Sequence, residues 1–436
     1  MENKKYNIIV LIYLIFILFV IQISGILITY TSQDSIFYSK FLFYISVVGL
    51  LIYLFYKMNV GKLCIKDLAV IMFILFSFLS FYFAYDRYVA LMGFIGRREG
   101  LYALVSYYVF FLVASTLRDK KCLKFFIIAF FVHVFIQIIY GLLQVSPLTE
   151  VFGIPIKFNL DYSFGLVGNS NFFSSLQTLL LGIALGIYMF DNKLFNIKTV
   201  LFLEISLIGL VLSGAMSGFV GFVMIFLLLL IYIVYLVIIK KKKIFYFVFK
   251  IGLLLVLFVW TMFILTNFFR NKYALDIFDL NLQTTQIAEE GFKDQNGTGR
   301  IYIWKVALKN APKYLLTGIG IDQFFYINDG KIIYDPITGN AIDKAHNEYL
   351  QILLTEGIFK CITYIVFLLW IFFKGVYVII KSKKIDPLLL GLFLSFTAYC
   401  VQAFFNISVT RVAPIFFIIG GLLLAQLEKK QEEFSN

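Results

Sequence analysis

Apolar runs of roughly 20 residues recur along this chain between short polar breaks, each long enough to cross a hydrocarbon core of about 30 Å. The pattern predicts helices over 7–30, 41–56, 67–85, 100–117, 123–144, 170–190, 197–213, 217–239, 244–267, 347–373, 386–405 and 411–427. The expected fold is all-α, a polytopic transmembrane bundle of about 12 helices forming one integral membrane domain over residues 1–436. The first run follows Lys4 and Lys5 and lacks a small-residue cleavage site, so it reads as a retained helix and not a signal peptide.

One stretch breaks the pattern. Between the ninth and tenth runs lies a polar loop, 268–346, far longer than an ordinary connection and therefore a candidate for function. Within it, 299–311 places Ile303, Val306, Ala307 and Asn310 on one helical face, with Gly297 and Thr298 as start signals and Pro312 as a stop. A short amphipathic helix at the membrane surface is expected there, followed by a tight turn over Thr317–Asp322. The opening of the loop, Arg270 to Lys293, is polar and suggests no particular structure.

Composition agrees with the pattern. Hydrophobic residues make up 61% and charged ones 14%, with mean hydropathy +0.91, whereas soluble domains are near half apolar and a quarter charged. The net charge of +13 sits mostly in short loops: Lys57/Lys62/Lys66, Arg118/Lys120/Lys121/Lys124, Lys193/Lys198, Lys240 to Lys243, Lys381/Lys383/Lys384 and Lys429/Lys430. Under the positive-inside rule these loops and both termini are cytoplasmic, and 86–99, 145–169, 268–346 and 406–410 face outward. A topology signal of this kind removes nucleic acid as an expected partner. Lys250 falls near the cytoplasmic end of its run, where a lysine can snorkel to the interface.

Absences narrow the chemistry. The four cysteines show neither a disulfide framework nor paired metal spacing. No HExxH and no P-loop occurs, so neither a metal nor a cofactor is expected.

Of the two histidines, His133 shares a helical stripe with Gln137, Tyr140 and Gln144, which suits interhelical hydrogen bonding or the lining of a cavity. His346 opens the tenth predicted helix directly after the polar loop. It reads either as a capping, interfacial residue or as a base, since imidazole titrates near neutrality. Arg300, Arg97 and Arg98 face outward against the charge trend, and Arg411 opens the last helix. Guanidinium forks suit a diphosphate or an anionic headgroup. Asn169 and Asn171, in GNSNFF, can cap the sixth predicted helix, whose N-terminus favours an anion. Glu356 is expected about three turns into the membrane with a polar partner.

The run from Arg300 to Leu308, the P-x₅-G-I-G that follows, and A-H-N-E-Y-L-Q-x₄-E-G from Ala345 to Gly357 resemble the signature region of the O-antigen ligase-like family. G-N-x-N at 168–171 and G-R-R-E-G-L at 96–101 are similar less specifically. The resemblance implies a metal-independent membrane glycosyltransferase. Such an enzyme moves a glycan from a polyprenyl-diphosphate carrier to an acceptor hydroxyl on a lipid, growing polysaccharide or protein, at the outer face of the cytoplasmic membrane. Carried onto this chain, His346 is the base and Arg300 a catalytic, diphosphate-binding arginine. Arg97, Arg98 and Arg411 are further diphosphate ligands, and Asn169, Asn171, Trp304 and Asn347 position substrate. Members often carry an arginine in an S-x-R-G-type turn after the seventh helix; this chain has Met216 there. Compensation by Arg97, Arg98 or Arg411, a different mode of donor binding, and an impaired copy are the alternatives. A transporter or flippase for a lipid-linked or anionic substrate is the rival reading of such a bundle.

Overall fold

The computed structural model describes residues 4–31, 36–146, 162–268, 300–334, 339, 341–383 and 386–435. Gly297, Thr298 and the segment Arg270 to Lys293 lie outside them, as does most of 145–169. The described residues form helices and short turns, with isolated bridges but no strand. In chain order the helices are α1 (Lys4–Thr31), α2 (Ile36–Val60), α3 (Ile65–Tyr82), α4 (Arg87–Met92) and α5 (Leu101–Ala114). Next come α6 (Lys120–Val145), α7 (Ser170–Met189), α8 (Ile197–Ser213), α9 (Met216–Ile238) and α10 (Ile244–Phe268). The chain ends with α11 (Arg300–Tyr314), α12 (Glu348–Glu356), α13 (Ile358–Lys381), α14 (Pro387–Gln402) and α15 (Ala413–Ser435).

Among the described residues, nine helices are long and apolar enough to cross a membrane, which makes this a multi-pass membrane protein. The count is below the expected twelve or so for identifiable reasons. α5 has 14 residues and α8 has 17, short for a full span at about 1.5 Å per residue. The third is α15, whose 23 residues run into the charged stretch Glu428, Lys429, Lys430. The predicted tenth run still yields one span, α13, but α12 is parted from it at Gly357 with φ +85.

That break has a local cause. The turn predicted over Thr317–Asp322 docks on the end of α12: Ile319 N donates to Leu354 O at 2.9 Å and Gly320 N to Thr355 O at 3.1 Å. Ile358 N reaches back to Leu315 O at 2.7 Å. Carbonyls that a continuous helix would have used are thus taken by the turn, and a Cβ on Gly357 would overlap Leu316 O. Non-helical backbone is tolerated at this depth because protein surrounds it. Glu356 consequently ends α12, where Ser77 Oγ donates to it at 2.6 Å and Lys360 lies 3.6 Å away.

α11 buries Ile303, Ala307 and Asn310, with Val306 half-buried on the same face. It runs past Pro312 to Tyr314, so Pro312 is not the stop expected. In the last turn a proline forfeits a single backbone bond, which is too little to end the helix at once. The buried face packs with Phe324, Ile327, Ile333, Ile342, Ala345 and Leu354 in a core of its own.

At the centre stands α7, the most buried of the nine spans. Small residues let α14 approach it closely: Gly186 meets Gly391, Gly182 meets Ser395, and Ser395 Oγ donates to Leu179 O at 2.6 Å.

The charged loops converge at one end of the bundle. Lys66 pairs with Glu428 at 3.0 Å, Arg118 with Glu432 at 2.8 Å, and Lys120 with Asp386 at 2.7 Å. Asn7 Oδ1 accepts from Arg118 N at 3.1 Å, so the start of α1 and the end of α15 meet there. Lys250 does not reach out to the interface. It is fully buried and donates to the carbonyls of Tyr188, in the last turn of α7, at 2.6 Å and of Asp191, just beyond it, at 3.3 Å. The negative end of a helix serves it in place of a headgroup.

Candidate active site at the other end of the bundle

The opposite end gathers the candidates expected to face outward. Asn169 caps α7 by accepting from Asn171 N at 2.9 Å, and Asn171 Oδ1 accepts from Ser217 Oγ at 3.1 Å at the start of α9. The His133 stripe supports this end of α7 from α6. Gln144 Oε1 accepts from Ser163 Oγ at 2.8 Å and Gly165 N at 3.0 Å, and Gln137 Oε1 from Leu166 N at 2.7 Å. Arg411 then donates Nη1 to Leu166 O at 3.1 Å, beside Gly168.

Arg97 makes a two-pronged contact with Asp343, Nε to Oδ2 at 2.5 Å and Nη2 to Oδ1 at 3.2 Å. Its guanidinium also lies 5.5 Å from the ring of Phe172, in the first turn of α7. Burial alone would lower its pKa, but the Asp343 carboxylate holds it above the usual value. Arg98 adopts φ +55, is buried and donates to Gly93 O at 3.1 Å within its own turn. Arg300 begins α11 half-buried, and burial pulls its guanidinium down. Among the described residues it forms no hydrogen bond and no ion pair.

His346 sits between these groups. Trp304 Nε1 donates to Ala345 O at 3.0 Å, while Ala345 N donates to Gln351 Oε1 at 2.8 Å, so the preceding residue is held from both sides. His346 itself takes φ +49, a left-handed conformation that few non-glycine residues adopt. Asn347 then caps α12, accepting from Leu350 N at 3.0 Å. Burial first, then the positive charges of Arg300 and Arg97, push the imidazole down to about 4, with Asp343 acting the other way. The ring is therefore neutral and proton-accepting at ordinary pH.

Arg97, Arg300 and His346 thus share one electrostatic environment. Arg411, Asn169 and Asn171 stand around the neighbouring mouth of α7, where the helix dipole adds positive potential. Trp304 and Asn347 act on the backbone around His346. Met216 is the first residue of α9 and is partly exposed beside this mouth.

Sequence reading missed the layer beneath. Lys344 is buried and bridges Glu99 at 3.0 Å and Asp322 at 2.6 Å. Asp322 Oδ2 accepts from Phe94 N at 2.7 Å and Glu99 N at 3.2 Å. Glu348 takes Ser408 N at 2.5 Å and Ser408 Oγ at 2.6 Å, tying α12 to the segment that leads to Arg411. This ion cluster fastens the turn carrying Arg97 to the turn carrying His346. The signals available were Lys344, two residues before His346, and Asp322, which closes the turn expected over Thr317–Asp322.

The helices and this polar end define a multi-pass membrane protein whose titratable and cationic groups converge at one mouth. Residues 201–365, less than half of the chain, match the family model described as O-antigen ligase. The match includes Arg300, Trp304, His346 and Asn347 and leaves Arg97, Asn169, Asn171 and Arg411 outside it. No curated protein matches the chain.

Proposed function

We propose that this protein transfers a glycan from a polyprenyl-diphosphate carrier to an acceptor hydroxyl of a lipid, growing polysaccharide or protein. The reaction takes place at the outer face of the cytoplasmic membrane, with both termini in the cytoplasm and 268–346 as an outer loop of one membrane domain. The observation that carries this reading is a neutral imidazole flanked by two guanidiniums, one of them without an anionic partner among the described residues.

The mechanism follows from those groups. His346 accepts the proton of the acceptor hydroxyl as its oxygen attacks the anomeric carbon. The new bond to that carbon forms while the bond from it to the carrier phosphate breaks, inverting the centre. The electron pair leaves on the diphosphate, where Arg300 and the free edge of Arg97 offset the growing charge. Arg411 and the N-terminus of α7 favour the same anion, and Asn169 and Asn171 hold that terminus in place.

His346→Ala removes the base. Expected is a loss of transfer of about 10²–10⁴-fold, measured with purified protein, lipid-linked donor and acceptor, at an unchanged unfolding midpoint. Full activity in that variant would remove the base assignment. Movement of the intact donor across sealed vesicles, with no new glycosidic bond, would turn the reading to a carrier.

A further inference from the structure

A groove of about 1010 Å³ opens at the lysine-rich end of the bundle, far from His346, between α6, α8 and the adjoining ends of α7 and α14. Its wall is apolar and runs into the membrane span, with Ile127 and Phe131 from α6 and Phe202 and Ile205 from α8. Its rim is basic: Lys120, Lys124, Lys198 and Lys430 stand against only Asp191 and Asp386.

Those charges are not equally engaged. Lys120 is paired with Asp386 at 2.7 Å and Lys430 with Glu433 at 2.5 Å. Asp191 accepts from Asn196 Nδ2 at 2.6 Å and Lys193 N at 3.2 Å. Lys124 and Lys198 are exposed at the rim and form no ion pair among the described residues. Two exposed ammonium groups without a carboxylate partner among the described residues, above an apolar trough, match a molecule with an anionic head and a hydrocarbon tail. A soluble anion would leave the trough empty, and a zwitterionic lipid would leave the lysines uncompensated.

We infer that this groove binds one anionic phospholipid, its phosphate on Lys124 and Lys198 and an acyl chain along Phe131 and Phe202. The site lies at the opposite end of the bundle from the proposed chemistry and does not depend on it.

The test uses full-length protein in phosphatidylcholine nanodiscs doped with dioleoylphosphatidylglycerol, with bound lipid read by native mass spectrometry. Wild type is expected to retain phosphatidylglycerol over phosphatidylcholine. The K124A/K198A variant should lose that preference by roughly twenty-five-fold, about fivefold for each lysine near an anionic surface. A control with Lys242→Ala and Lys243→Ala, exposed lysines away from the groove, should bind as wild type does. Ile205→Trp should also displace the lipid by filling the trough while leaving the rim charge intact. Equal retention in wild type and K124A/K198A would overturn the site, as would equal loss in the control. Displacement of the lipid by millimolar inorganic phosphate would show a soluble-anion site and overturn the lipid.

Discussion

Lys344 and Arg300 are cations at the same end of the bundle, and the fold treats them in opposite ways. Lys344 is buried and saturated by Glu99 and Asp322. Arg300 is half-buried with no anionic partner among the described residues. A buried charge without a partner is strongly disfavoured, so a saturated ion cluster holds structure together and gains little net energy. A guanidinium kept partly desolvated and uncompensated is suited to an anion that arrives from outside. The lower layer fixes the geometry of the mouth, while in the upper layer Arg300 meets no carboxylate among the described residues.

Substitutions in the two layers should therefore fail differently. Lys344→Met strands Glu99 and Asp322 and should cost about 3–5 kcal/mol of stability, seen as a fall in thermal midpoint and folded yield in detergent. A normal midpoint with lost transfer would move Lys344 into the upper layer. Arg300→Gln should leave the midpoint unchanged and lower turnover by about 10²–10³-fold, the effect of removing one placed donor. If Arg300→Lys is fully active, a two-pronged phosphate contact is not required.

The pH profile sharpens the contrast. His346 is held at about 4, so the acid limb of kcat/KM should fall near pH 4 and not at the ordinary 6.5. Arg300→Gln removes one repelling charge and should move that limb upward; an unmoved limb would mean that Arg300 does not act on the imidazole. The stability sign follows from linkage. The folded pKa lies below the unfolded 6.5, so the unfolded chain binds the proton more readily. This histidine leaves stability untouched above pH 6.5 and lowers it as pH drops from 6.5 toward 4. The smallest effect is expected for Trp304→Phe, which forfeits the bond to Ala345 O at a cost of about 0.5–1.5 kcal/mol. It should blunt turnover modestly through the placement of His346, and a wild-type rate would show that the α12 cap alone holds the ring.

Much of this was legible along the chain. Helix formation in lipid is forced by backbone hydrogen bonding, so apolar runs such as 123–144 and 244–267 recur as α6 and α10 with small changes at their ends. The polar motif around Arg300 and His346 stood out because it lies in the one long polar loop between apolar runs. Other features were invisible in principle. The break at Gly357 depends on a turn forty residues upstream taking the carbonyls of α12, and nothing in the run 347–373 announces it. Lys250 looked like a lysine reaching for an interface because its acceptors, the carbonyls of Tyr188 and Asp191, belong to another helix end.

Hydropathy and loop charge, which act locally and add along the chain, were enough to set the class of protein, most of its helices and the stretch where its chemistry is sought. Which charges meet is a different matter. Glu99, Asp322 and Lys344 come from three separate segments, and so do Arg97, Arg300 and His346. Among the described residues packing gives Lys344 two carboxylates and Arg300 none, because a pair buried together must match in three dimensions, and one-dimensional spacing carries no record of that match.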